Sequence, residues 1–193
     1  MTPRRPLPMA PSKWFGRLME TLNTPDYEAA LAAISVPRAG ALLEIGFGSG
    51  RFLAMLIKAR PDVRVAGADP TPAMVALARE NPTLQVANAD LRESGAEALP
   101  WDDGAFDAVV AINSFQFWAA PDRAAAEIAR VLKPHGRICL VLRSHRGGAP
   151  DWLPNPMSKS DDEPGAAIAW LRANGFERAE RVGDRPIIVC ARR

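Results

Sequence analysis

No stretch of this chain approaches the roughly 20 consecutive apolar residues needed to span a bilayer. Charge of one sign is also missing: 24 Lys and Arg stand against 22 Asp and Glu, a formal net charge of +2. That balance calls for neither a nucleic-acid nor a membrane partner. The opening residues, Met1-Thr2-Pro3-Arg4-Arg5-Pro6-Leu7-Pro8, are broken by prolines and lack the apolar core of a secretion signal. Cysteine is scarce. Cys139 and Cys190 both fall inside apolar, strand-like runs, where buried free thiols are expected. The expectation is therefore a reduced, cytoplasmic protein. There is no internal repeat of solenoid period. With 193 residues, 48% of them apolar, the chain can build one sizeable core and has little room for a second domain.

What the chain does contain is Ala41-Leu42-Leu43-Glu44-Ile45-Gly46-Phe47-Gly48-Ser49-Gly50, followed at once by Arg51-Phe52-Leu53. This pattern predicts a parallel strand, a tight turn and a helix N-terminus. Gly46 can supply the dihedrals of the turn, while Gly48 and Gly50, lacking a Cβ, let a ligand approach the backbone. In an open α/β sheet, ligands sit beyond the carboxyl ends of the strands. The dinucleotide fingerprint would need glycine at position 51, where Arg stands, and the phosphate loop would need Gly-Lys-Ser/Thr. Glu44 would help repel a pyrophosphate but suits a cation.

Strand and helix patterns alternate along the rest of the chain. Helical spacing from Ser12 to Leu22 (Trp14, Phe15, Leu18, Met19, Leu22) precedes a second short helix over Pro25–Ile34 that Pro37 ends. After the loop, a helix is expected over Arg51–Ala59, a strand over Val63–Ala68 ending at Asp69, and a helix beginning at Thr71-Pro72. Leu84–Ala87 reads as a strand running into Asp90, and Phe106–Asn113 as a central strand buried on both faces. A helix over Pro121–Leu132, a strand over Ile138–Leu142 and a long loop from 143 to 164 follow. The last helix is expected over Glu163–Ala173, capped by Asn174-Gly175. Strands over Glu177–Val182 and Ile187–Ala191 are joined by four residues, too few for a crossover, so they form an antiparallel hairpin. The fold class is α/β, a doubly wound, mostly parallel, Rossmann-like sheet.

The glycine loop and its leading acid resemble the first motif, acid-x-Gly-x-Gly-x-Gly, of the class I S-adenosylmethionine (SAM)-dependent methyltransferases, small-molecule type 11-like. SAM carries a sulfonium and an ammonium group and no phosphate, which suits Glu44. The resemblance implies a seven-stranded sheet of order 3-2-1-4-5-7-6 with the inserted last strand antiparallel. It implies a SAM-binding domain over 39–193, with 1–38 forming a tail and cap helices over the pocket. The cofactor contacts it implies are Glu44, Gly46, Phe47, Gly48, Gly50, Asp69 and Pro70, then Met74, Asp90, Leu91 and Asn113. Asp69 would accept the ribose hydroxyls, Met74 would pack on adenine, Asp90 would close the third strand and meet the adenine amino group, and the Leu91 amide would meet the ring. Asn113 sits where methionine portion and acceptor should meet. Glu127 to Gly136 matches the family's helix-to-strand turn, except that His135 replaces a glycine, at modest cost if φ is positive there. Cys139 and Cys190 would lie on neighbouring strands, close without being bonded.

Other absences narrow the family. No Asp/Asn-Pro-Pro-Tyr/Phe follows the fourth strand, no paired glutamates occupy that loop, and no acids cluster near Asn113 for a metal. The resemblance therefore implies SAM as cofactor, no metal, and a small-molecule acceptor walled by Trp14, Phe15, Phe115, Phe117 and Trp118, with Trp152 nearby. His145 could act as a base, but alignment of acceptor and methyl group can suffice, and no catalytic base is assigned. Two other readings stay open: a SAM-binding protein without turnover, and a dinucleotide-dependent oxidoreductase. Oligomeric state is not legible.

Overall fold

The nearly unbroken apolar run Phe106–Ile112 is the central strand, β4, of a seven-stranded sheet in the computed structural model, which describes residues 23–143 and 152–193. Around it lie β1 (Ala41–Ile45), β2 (Arg64–Asp69), β3 (Asp90–Glu93), β5 (Leu132–Leu142), β6 (Glu177–Asp184) and β7 (Ile187–Arg192). The strand order is β3-β2-β1-β4-β5-β7-β6, with β7 antiparallel to both neighbours and the other pairings parallel. This is the order and the terminal hairpin expected. The helices are α1 (Thr24–Ala33), α2 (Arg51–Ala59), α3 (Pro72–Arg79), α4 (Pro82–Val86), α5 (Pro121–Val131) and α6 (Glu163–Ala173).

Two cores result from the alternation of side chains along each strand. Leu43, Val109, Ala111, Ile138 and Leu140 point to the face covered by α5 and α6, meeting Ile128, Val131, Trp170 and Leu171. Leu42, Val65, Val110, Ile112 and Val141 point to the other face, meeting Ala30 of α1, Phe52 and Leu53 of α2, and Val75 of α3. A strand packed on both faces must be apolar at every position, which is why β4 shows no polar alternation. Loop 99–104 is clamped by α5: Glu127 accepts the Leu99 N–H at 2.8 Å, and Arg130 donates to the Leu99 and Trp101 carbonyls at 2.7 Å each. Near the start of β5, His135 holds φ 64°, the conformation for which glycine is the easier residue.

Three expectations need correction. Leu84–Ala87 is not a strand but lies mostly within α4, because Asn81 caps the Thr83 N–H at 3.0 Å and Pro82 takes the first helical position. Val86 is left 90% exposed, as no buried strand residue would be. The third strand falls later, and Asp90 opens it rather than closing it. The thiols are not free either. Antiparallel register sets Cys139 directly opposite Cys190 with Cα atoms 4.3 Å apart, and their sulfurs are joined in a disulfide. Sequence placed them on neighbouring strands, but only the register makes them partners.

Candidate functional site

The site is built where β1 ends. Gly46, Gly48 and Gly50 all hold positive φ (77°, 55° and 77°), and α2 starts directly behind them. Their surroundings differ. A Cβ on Gly46 would lie 2.4 Å from the Cβ of Ser114, and one on Gly50 would lie 2.5 Å from Leu84. A Cβ on Gly48 would meet nothing within 4 Å. Gly46 and Gly50 are thus required by packing, while Gly48 borders open space on the ligand side of the loop. Ser114 locks the far wall, its Oγ donating to the Ile45 carbonyl at 2.6 Å.

Asp69, at the end of β2, is 5% exposed. One carboxylate oxygen accepts the Gly48 N–H at 2.8 Å and the other accepts the Thr71 N–H at 2.9 Å. Burial raises its pKa, and the two amides partly oppose that shift. Glu44, one strand over, is 2% exposed, and burial together with the charge of Asp69 pushes its pKa well above the usual carboxylate range. Two buried carboxylates with no ion-pair partner among the described residues make a place where a cation is favoured.

Three buried side-chain polar atoms lack a hydrogen-bond partner among the described residues: Glu44 Oε2, Ser94 Oγ and Asn113 Oδ1. Their residues stand on β1, just past β3 and just past β4. All three are at or near the carboxyl ends of parallel strands around the glycine loop, the side on which open α/β sheets bind ligands. Buried polar groups are almost always paired, so orphans at the ends of these strands mark a surface that a polar ligand completes.

Several candidate residues lie elsewhere than expected. The Phe47 ring is 4% exposed and would be struck by a Cβ on Gly67, so it anchors the loop into the core. Asp90 pairs with Ala66, while Glu93 pairs with Asp69. Asp90 therefore sits three residues, about 10 Å, below the level of the site. Its carboxylate is held there by Arg92 at 2.8 and 2.9 Å and by the Trp101 indole N–H at 2.7 Å. Leu91 is buried core. The residue at the mouth is Ser94, whose N–H donates to the Asp69 carbonyl at 3.1 Å. Its signal is the strand boundary, which lies one element later than the apolar pattern predicts. Met74 is half-buried in the first turn of α3, and Pro70 is exposed beside Asp69.

The aromatics after β4 divide. Phe115 and Trp118 are buried, packed edge-on to each other at 5.2 Å and against Trp170 of α6, so they belong to the core. Phe117 and Trp152 stack on each other at 6.2 Å and stay 44% and 57% exposed. Asn155, fully buried, ties the two loops together by donating to the Phe115 carbonyl at 2.7 Å. Trp14, Phe15 and His145 lie outside the described residues. Sequence reasoning missed Asp26, which accepts the Asn113 Nδ2–H at 2.6 Å from 87 residues away.

A family model described as a methyltransferase domain matches residues 43–140, just over half of the chain. A demethylmenaquinone methyltransferase of Thermus thermophilus is 37% identical over 100 residues, covering 52% of this chain and 46% of that protein. The chain thus spans about half the length of that relative. The uncharacterized methyltransferase YdaC of Bacillus subtilis is 25% identical over 162 residues, 84% of this chain and 85% of its own. Among solved structures, a SAM-dependent methyltransferase from Aquifex aeolicus superposes with a TM-score of 0.71 at 21% identity, covering 92% of this chain and 96% of that one. At that identity the likeness concerns the fold.

Proposed function

Because the chain belongs to the methyltransferase-domain family, we propose that it transfers a methyl group from SAM to a small-molecule acceptor. The observation that carries this is the set of orphaned buried atoms, Glu44 Oε2, Ser94 Oγ and Asn113 Oδ1, gathered around a glycine loop whose Gly48 borders open space. Those residues fit the cofactor's chemistry. Glu44 and Asp69 favour its cationic end, Asp69 retains lone pairs for ribose hydroxyls, and Ser94 and Met74 would serve the base. SAM supplies an activated methyl group on a sulfonium when bound. The chain's own residues then have to orient and exclude water: Gly48 permits close approach, Ser114 fixes the loop, and the first turn of α1 reaches Asn113.

The acceptor would bind toward the stacked, exposed Phe117 and Trp152, which offer an apolar, ring-shaped platform. The Thermus relative is named for a small-molecule acceptor, demethylmenaquinone, in keeping with that choice. No helix among the described residues is long and apolar enough to cross a membrane. With balanced charge, this supports a cytoplasmic enzyme without membrane or nucleic-acid partners. The Cys139–Cys190 link is at odds with a reducing compartment, so the redox state of freshly prepared protein tests that placement.

The function is tested by calorimetry with SAM and S-adenosylhomocysteine against NAD, then by transfer of labelled methyl to a panel of small ring compounds. Binding of the two sulfur nucleosides and not of NAD is the expected result. Preference for NAD would replace the methyltransferase reading, and binding without transfer to any acceptor would support a silent SAM binder.

A further inference from the structure

Asp26 lies in the first turn of α1, and its Oδ2 accepts the Asn113 Nδ2–H at 2.6 Å. A carboxylate can only accept, so this contact decides which way the Asn113 amide faces: the NH2 group toward Asp26, the oxygen away from it. That oxygen is buried and has no hydrogen-bond partner among the described residues. The backbone reinforces the arrangement, because Asn113 holds a φ of 53° and turns its side chain out of the strand's alternation. The next residue, Ser114, is pinned against Gly46 by its bond to the Ile45 carbonyl, which keeps the amide beside the glycine loop.

A second tie acts on the same helix turn. Arg51, the first residue of α2, donates to Thr24 Oγ1 at 3.4 Å. The turn 24–26 is thus joined to both flanks of the glycine loop: to Arg51 behind it and to Asn113 across from β1. An isolated Asn amide could rotate to give its NH2 group to any nearby acceptor. Held by Asp26, it offers only its oxygen, and an oxygen needs a donor.

We propose that Asp26 is a positioning residue for the amino-acid end of the cofactor: by holding the Asn113 amide it presents Oδ1 as the acceptor for the cofactor's α-ammonium group. This rests on the SAM reading above. It makes α1 more than a cover, since its first turn sets the polarity of one wall of the crevice. It also explains why an ionic hydrogen bond joins a helix preceding the sheet to a residue at the end of its central strand.

The test compares two probes, S-adenosylhomocysteine and 5′-methylthioadenosine, which lacks the amino and carboxyl groups. Calorimetry is run on the unaltered protein, Asp26→Ala, Asp26→Asn, Asn113→Ala and the double variant Asp26→Ala with Asn113→Ala. Asp26→Ala should weaken S-adenosylhomocysteine about tenfold, as loss of a charge-assisted contact does, and leave 5′-methylthioadenosine within about twofold. Asp26→Asn, whose amide oxygen still accepts from Asn113, should keep S-adenosylhomocysteine within about threefold. The double variant should be no weaker than Asn113→Ala alone, because Asp26 acts through that side chain. Equal losses for both probes in Asp26→Ala would make the contact merely structural and overturn the proposal, as would no loss for either. Failure of the unaltered protein to bind either probe would overturn the SAM reading itself and this inference with it.

Discussion

The Asp69 carboxylate accepts the Gly48 N–H at 2.8 Å, joining the end of β2 to the middle of the glycine loop across 21 residues. The acid expected to meet ribose therefore also shapes the loop that admits the ligand. Removing it should act twice. Asp69→Ala should lower the unfolding free energy by about 1–3 kcal/mol, since two partly buried N–H groups lose an acceptor, and should weaken S-adenosylhomocysteine at least about tenfold. Denaturant melts and calorimetry on the same preparation separate the two effects. Full affinity in a destabilised variant would leave Asp69 with a structural role alone.

Gly46 and Gly48 should respond oppositely to alanine. Gly46→Ala drives a Cβ to 2.4 Å from Ser114 at a φ of 77°, so loss of folded protein is expected. Gly48→Ala meets nothing within 4 Å and carries only the left-handed strain, about 1–2 kcal/mol, so it should fold but bind S-adenosylhomocysteine poorly. Circular dichroism with calorimetry checks both. A Gly48→Ala variant that binds normally would place the ligand off this loop.

Glu44 couples binding to pH. Its pKa is raised above the ordinary value of 4.5 in the folded protein, so the folded state holds the proton more tightly than the unfolded one. Stability should then fall as pH rises above 4.5, because the unfolded chain ionises first. Glu44→Gln should make the ligand-free protein more stable at pH 8, with the advantage vanishing below pH 4.5, and should weaken cationic ligands. Glu163, in the first turn of α6, is pushed up to about 7 by burial alone. Its Gln variant should likewise gain stability at pH 8, with no change in S-adenosylhomocysteine affinity. Melts at several pH values, paired with calorimetry, test both substitutions.

The two aromatic pairs should separate by function. Phe115→Ala removes a ring that is 1% exposed between Trp118 and Trp170, and should cost about 3–5 kcal/mol of stability. Phe117→Ala and Trp152→Ala, taken from the exposed stack, should change stability by less than about 1 kcal/mol. Once an acceptor is found, they should raise its KM about tenfold or more with little change in SAM affinity. Unchanged KM in both would move the acceptor away from this platform.

Peptide mapping under non-reducing conditions should recover a fragment linking Cys139 to Cys190. A crosslink spanning 51 residues is worth on the order of 4 kcal/mol by loop-closure entropy, so reduction should lower the melting temperature measurably. Free thiols in freshly prepared protein would restore the expectation drawn from composition.

Sequence alone determined most elements of the sheet. Alternating apolar runs and helical stripes and the short Gly183–Pro186 connection are local signals that dictate most element types and the hairpin closure, although most of 84–87 is helical, and the strand order followed from the family resemblance. Sequence also singled out Glu44, Gly48 and Asp69 as candidates, because acid and glycine at strand ends carry their meaning in the chain itself. Tertiary structure decided what depends on register and on distant partners. Asp90 and Ser94 differ by only four positions, yet the pairing of β3 with β2 puts one at the foot of the strand and the other at the mouth of the crevice. Phe115 and Phe117 are two residues apart, and only the arrival of Trp170 from α6 buries one while the other stays exposed. Asp26 and Asn113 are 87 residues apart, and nothing near either one announces the contact. A side chain's neighbours along the chain fix its backbone, but its hydrogen-bond partner and its burial are set by which elements pack over it.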